Sequence, residues 1–402
     1  MRTDTSISTG STLGAILLVA GCCIGAGMLG LPILSALGGF KPSIFLFILS
    51  WLFMSFTALL LLEVNLWFHD DISIVSMAER TLGPIGKIVG WGTFLFLFYS
   101  LMVAYISGSG QLITDFLMQT FTIYVPSWLG SLVLILVFAF LIFLGTYVVD
   151  RFNRILMAGL IVTYILLVVL GGMHVNPELL NYQNWSIAPY AIPIMIVSFG
   201  FHNLIPSLTT YMQRDAKKMQ KIILLGSAIP LLIYVVWEWV ILGLIPVGEH
   251  ETFQAVLDSG EMATNALKKA VGSSWIVDIA HYFAFFAIIT SCLGVALSFV
   301  DFLADGLNIK KTCSGKCLLL LLVFFPPWFF ACLFPYVFLT ALNYAGGFGA
   351  VILFGLLPAS MVWSGRYLSR IAQPHAFTVP GGKTALVAVI FSSLCIILLQ
   401  AI

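Results

Sequence analysis

Two glycine-bearing interruptions inside apolar runs hold the chemistry this sequence offers. Residues 21–32 read Gly-Cys-Cys-Ile-Gly-Ala-Gly-Met-Leu-Gly-Leu-Pro in a run that begins at Leu13, and 198–206 read Ser-Phe-Gly-Phe-His-Asn-Leu-Ile-Pro in another. Where a membrane helix unwinds, its second half exposes N–H groups and a positive dipole end that hold a carboxylate. Carbonyls left over at the break suit an ammonium group. Unwound backbone is tolerated at mid-membrane depth only where it is buried in protein or lines a cavity. Gly25, Ala26, Gly27 and Met28 at the first break, and Ser198, Phe199, Gly200, Phe201, His202 and Asn203 at the second, are therefore candidate substrate contacts. Phe199 and Phe201 suit a flat apolar side chain, with Tyr105 as a further ring and Ser107 on the polar face of the same segment. The competing reading of Gly21-x3-Gly25 is close helix packing.

Three side chains are candidates to carry a proton. His202 stands beside the second break, and an ionisable group at that depth is a functional hypothesis by default; imidazole titrates in the physiological range. Glu63 and Glu238, the latter between Trp237 and Trp239, are the other acids well inside apolar runs. Each is either a proton site or a protonated structural acid. A sodium ion wants several oxygen ligands, and the thioether of Met28 argues against one beside the substrate. Thr290 and Ser291 could still join the carbonyls of Gly21 and Ile24 in a second ion position. The stretch Gly25-Ala26-Gly27-Met28-Leu29-Gly30 matches a dinucleotide fingerprint only formally, because that motif needs a preceding strand and a soluble β-α-β unit. Cys313-x3-Cys317 lacks the two further ligands of a zinc site, so no metal and no cofactor is expected. The seven cysteines are read as free thiols. No nucleophile, base and oxyanion set is found that would make an enzyme.

The elements that position these residues are membrane helices. With 60% hydrophobic and 9% charged residues among 402, the chain has too little polar surface to cover a soluble globule. Runs able to cross roughly 30 Å of hydrocarbon fall at 11–38, 42–68, 87–118, 128–149, 154–173, 188–212, 220–245, 275–304, 317–335, 345–365 and 384–402, an expectation of eleven spans. With the N-terminus in the cytoplasm, only Lys41, Lys268 and Lys269 of the 18 basic residues fall outside, as the positive-inside rule asks. The odd span count then puts the C-terminus outside. The net charge of +1 offers nothing to nucleic acid.

Spans one and six both begin a set of five with a broken helix, and five is odd, so the second set enters the membrane inverted. One transport domain over 1–402 is expected, with repeats at about 10–173 and 187–370 and an appended helix at 384–402. Residues 71–86 read as an amphipathic interfacial segment, and 251–271 as an outside segment that could cap the pathway. Asp301 and Asp305 share a helical stripe with Ser298, Gly294 and Ser291, which suggests a hydrated path inward; Ser100, Ser107, Gln111 and Asp115 make a similar face on span three.

Val19-Ala20-Gly21 through Gly25-Ala26-Gly27-Met28-Leu29, Glu63-Val64-Asn65, Tyr105-Ile106-Ser107-Gly108, Ser198-Phe199-Gly200-Phe201-His202, Pro206-Ser207 and Gly294-Val295-Ala296-Leu297 together resemble the bacterial hydroxy and aromatic amino acid permease family, of the amino acid/polyamine/organocation superfamily. The resemblance runs over nearly the whole chain. It implies an all-α membrane protein with a LeuT-type 5+5 inverted repeat, eleven transmembrane helices and discontinuous helices 1 and 6. It also implies proton-coupled symport of L-tyrosine or another aromatic amino acid across the bacterial inner membrane. Asn203 stands where the family suggests a glycine, and Glu238 where it suggests a neutral amide. The other readings are a sodium-coupled or exchanging carrier, a channel, and a non-transporting sensor. The sequence leaves the oligomeric state open.

Overall fold

The computed structural model describes residues 11–68, 72–246, 274–369, 371 and 377–401; the expected cap at 251–271 and the basic residues Arg2, Lys268, Lys269 and Arg370 lie outside them. The first apolar run folds as two helices, α1 (Thr12–Cys23) and α2 (Gly27–Ala36), bent by 54° at the break. Next come α3 (Phe40–Trp67), α4 (Ile74–Phe121), α5 (Ser127–Leu144) and α6 (Thr146–Gly172). The second broken run comprises α7 (Ile192–Ser198), a 3-10 turn at His202–Leu204, and α8 (Ile205–Tyr211). It is followed by α9 (Ala216–Leu244), α10 (Ser274–Gly306), α11 (Cys313–Leu333), α12 (Phe338–Leu368) and α13 (Gly382–Ala401). Among the described residues, ten helical stretches are long and apolar enough to span a membrane, and the bent α1–α2 pair makes an eleventh if it is one span.

Several boundaries differ from the hydropathy reading, each for a local backbone reason. The fourth span ends at Leu144 rather than at 149, because Gly145 (φ 117°) takes a conformation open mainly to glycine, and the fifth starts at once with Thr146. Span three begins at Ile74, since the supposed interfacial segment is helical and continues into it through a kink at Gly83. Span ten begins at Phe338, not 345, and much of it is wound with wider π-type turns over Ala345–Leu356 and Ser364–Leu368. Cys313 and Cys317 lie in the first turns of α11, whose N-terminus is capped by the Thr312 hydroxyl. At the start of α9, Asp215 caps the helix, and the backbone N–H of Lys218 holds its carboxyl below the usual carboxylate range.

Burial sorts the helices into an inner and an outer set. The most apolar stretch of α12 is 78% buried, whereas that of α13 is 22% buried and faces outward. The broken helices pack on α9 and α12 and meet α10 at Ser291. Glu63 on α3 ties this interior to the C-terminal region. Arg366 Nε donates to its Oε1 at 2.7 Å, Arg366 Nη2 to its Oε2 at 2.5 Å and the Val379 backbone N–H to Oε2 at 2.7 Å.

Candidate functional site

The two breaks face each other across a small cavity of about 110 Å³. At the first, α1 ends where Ile24 becomes extended, and α2 restarts three residues later at Gly27. The freed Ala26 N–H donates to Ser291 Oγ of α10 at 2.9 Å. Close approach explains the glycines. A Cβ on Gly25 would stand 2.3 Å from Ser291 Oγ, and one on Gly27 2.8 Å from Ser198 Oγ, distances that real side chains do not adopt. At the second break, α7 ends at Ser198, and the Gly200 carbonyl accepts the Cys22 thiol at 3.6 Å.

A third element holds both breaks. Tyr234, Trp237 and Glu238 occupy one face of α9 at i, i+3 and i+4. The Tyr234 hydroxyl lies 2.6 Å from the Cys23 carbonyl oxygen and 2.8 Å from that of Ser198, so one donor serves both. Trp237 Nε1 donates to the Met28 carbonyl at 3.0 Å, and Ser35 of α2 donates to Glu238 Oε1 at 2.8 Å. Glu238 is fully buried, and its Oε2 has no partner. Tyr234 and Trp237 are contacts of the two breaks that sequence reasoning missed. The available signal was their shared face with Glu238.

Of the residues expected to contact substrate, Gly25, Ala26, Gly27, Tyr105, Ser198, Gly200 and Asn203 line the cavity, and Ser291 joins them. Phe199, Phe201 and His202 do not. Phe199 packs edge-on against Tyr234, and the His202 ring stacks on Phe354 at 4.7 Å with its Nε2 3.0 Å from Thr57 Oγ1. All three are wholly buried, and His202 Nδ1 has no partner. The apolar wall comes instead from Phe94, Leu97, Phe98 and Leu101 of α4 and Phe354 of α12. A second layer of rings backs it, with Phe98 stacked on Phe299 at 5.0 Å and Phe94 against Phe302 at 5.3 Å. Met28 is buried in the core, outside the lining. Ser107 lies elsewhere on α4, where its hydroxyl and the Gln111 amide both donate to the Pro335 carbonyl at 2.6 and 2.9 Å.

The expected ion position is only partly assembled. Thr290 Oγ1 donates back to Phe286 O of its own helix at 2.8 Å, and the Ser291 hydroxyl already accepts Ala26 N–H. The Glu63 carboxyl is saturated by Arg366 and Val379. Among the described residues, no cluster of three or more His, Cys, Asp or Glu could hold a metal ion, and all seven cysteines are unpaired.

The cavity meets a vestibule of about 980 Å³ at Phe94, Phe98, Asn203 and Ser298, which line both. The vestibule carries Glu79, Lys87, Asp301 and Asp305. The stripe Ser291, Ser298, Asp301 and Asp305 thus follows α10 from the break to this face. On the other side of the breaks, Gly30 of α2 is so close to α7 that a Cβ there would meet Ile194 at 2.3 Å.

Comparison with known proteins places this geometry. Residues 8–400 match the tryptophan/tyrosine permease family. Tyrosine-specific transport system 1 of Haemophilus influenzae is 34% identical over 394 residues, covering 94% of both chains. A tryptophan-specific transport protein of the same organism is 32% identical, covering 93% of this chain and 91% of its own. Among solved structures, a manganese transporter from Eremococcus coleocola shares the fold with a TM-score of 0.63 over 100% of this chain and 87% of that one, at 11% identity.

Proposed function

Since the chain belongs to the tryptophan/tyrosine permease family, we propose that it carries L-tyrosine or another aromatic amino acid into a bacterial cell, by alternating access around the cavity between the two breaks. The observation that carries this reading is the pairing of that cavity's two surfaces. One is backbone at the helix interruptions, Gly25–Gly27 and Ser198–Gly200, suited to a zwitterion; the other is a wall of Phe94, Phe98 and Phe354, suited to a ring. The N-terminus of α2 offers Ala26 and Gly27 N–H groups to the carboxylate, with Ser291 Oγ holding the Ala26 group meanwhile. The carbonyl ends of α1 and α7 suit the ammonium group.

An inverted repeat over 10–173 and 187–370 would relate the two breaks, and the twin interrupted helices support a LeuT-type arrangement within one domain. With the N-terminus cytoplasmic and the C-terminus periplasmic, the vestibule that carries Lys87 faces the cytoplasm, so the described state is open inward. Protons drive the uptake. Of the three candidates, Glu238 fits the carrier role best. It is buried with one unpartnered oxygen, and its one donor, Ser35, sits on the half-helix that holds the substrate carboxylate. An isolated buried carboxylate is costly, so such a group holds a proton until its surroundings change. Glu63, with both oxygens engaged by Arg366 and Val379, fits a structural role instead.

Radiolabelled tyrosine uptake into proteoliposomes tests the reading, under an imposed proton or sodium gradient and with unlabelled tryptophan, phenylalanine and serine as competitors. Accumulation driven by protons and suppressed only by aromatics is the expected result. Sodium dependence would redirect attention to Thr290 and Ser291. Binding without flux would mean a sensor, and flux without saturation a channel.

A further inference from the structure

The cavity is polar at both ends and apolar between them. Its far end from the N-terminus of α2 at Ala26 and Gly27 is the mouth, where the two polar side chains shared with the vestibule are Asn203 and Ser298. Asn203 is exposed there, whereas its chain neighbours Phe201 and His202 are wholly buried. The 3-10 turn at His202–Leu204 accompanies this difference: its first residue is buried and its middle residue, Asn203, is exposed. Ser298 is also exposed; it donates to Gly294 O at 3.0 Å and so keeps its lone pairs for an incoming donor.

Distance along α10 sets the scale. Ser291 marks the head-group end, because it holds Ala26 N–H, and Ser298 lies seven residues on. Seven residues are two helical turns, so both hydroxyls fall on one face, roughly 10 Å apart along the axis at 1.5 Å per residue. That is the length scale of one aromatic amino acid laid from its carboxylate to the far edge of its ring.

We propose that Asn203 is the specificity residue for the ring substituent: its amide, with Ser298 beside it, pairs with the hydroxyl of a phenolic ring lying along the Phe94–Phe98 wall. This rests on the cavity being the substrate site. An amide both donates and accepts, which matches a phenol. An indole N–H can satisfy only the acceptor, and a bare phenyl ring satisfies neither, leaving the amide to water at the mouth. The expected order is tyrosine ahead of tryptophan ahead of phenylalanine.

The test is uptake of labelled tyrosine and labelled phenylalanine by the full-length chain and by Asn203→Ala in proteoliposomes. One lost neutral hydrogen bond is worth about 1 kcal/mol, so the half-saturation concentration for tyrosine should rise about fivefold while that for phenylalanine stays within about twofold. Asn203→Ser, which keeps a hydroxyl in place, should fall between and guards against a folding defect in the alanine variant. Equal losses for both substrates, or no change in either, would overturn the assignment and leave the transport reading standing. Failure of the unaltered protein to take up any aromatic amino acid would overturn the transport reading itself.

Discussion

Glu238 concentrates the chemistry that a single residue can bring to this molecule. Its carboxyl has one hydrogen bond, from Ser35, and one bare oxygen in a fully buried place. Glu238→Gln keeps the shape and the Ser35 contact and removes the exchangeable proton. If the residue carries the coupling proton, counterflow exchange of labelled for unlabelled tyrosine should persist within about twofold, while gradient-driven accumulation falls more than about tenfold. Retained accumulation would return the role to His202. The breaks themselves were legible in the sequence, because glycine and proline inside an apolar run are rare enough to read one by one. The ring wall was not. Phe199 and Phe201 adjoin the break along the chain, but adjacency does not fix direction within a break of three residues, and both turn into the core. The rings that line the cavity come from Phe94, Phe98 and Phe354, and nothing in their spacing distinguishes them among 33 phenylalanines.

Elements are joined here by a few polar contacts in an apolar interior, and the Glu63–Arg366 ion pair is one of them. It ties α3 to α12, and through the Val379 N–H and the Val379 carbonyl, which accepts Arg366 Nη2 at 2.9 Å, it also fixes the segment before α13. Removing one partner of a buried pair leaves an uncompensated charge, a loss of about 3–5 kcal/mol, whereas replacing both by apolar groups is often neutral. Arg366→Met should therefore lower the melting temperature in detergent markedly, and Glu63→Leu with Arg366→Met should recover most of it. A double variant no better than the single would mean that the pair does more than neutralise itself. Helix order and a set of about ten apolar spans were legible from hydropathy, since lipid demands long apolar segments. Exact ends were not, because Gly145 separates two helices that a hydropathy window averages into one. Nor did hydropathy reveal that Glu63 has a partner 303 residues away.

At the scale of the whole molecule, the structure is closed on one side of the breaks and open on the other. Ser107 and Gln111 hold the Pro335 carbonyl on the closed side, while Asn203 and Ser298 sit at the open mouth. Under the alternating access proposed above, these contacts are the ones that part to reach the opposite state. The Glu63–Arg366 pair also bears on how the protein is made. Synthesis runs from the N-terminus, so Glu63 enters the bilayer 303 residues before Arg366 and 316 before Val379. At 5–20 residues per second, the acid waits roughly 15–60 s for its cation. Throughout that interval the nascent chain holds an unpaired acid that assembly must shelter. A chain stopped just short of Arg366 should be cleared by membrane proteases faster than one stopped just past Val379, and Glu63→Leu should narrow the gap, as pulse-chase lifetimes would report. With that outcome, the last tenth of the sequence would act as a checkpoint on the assembly of the first sixth.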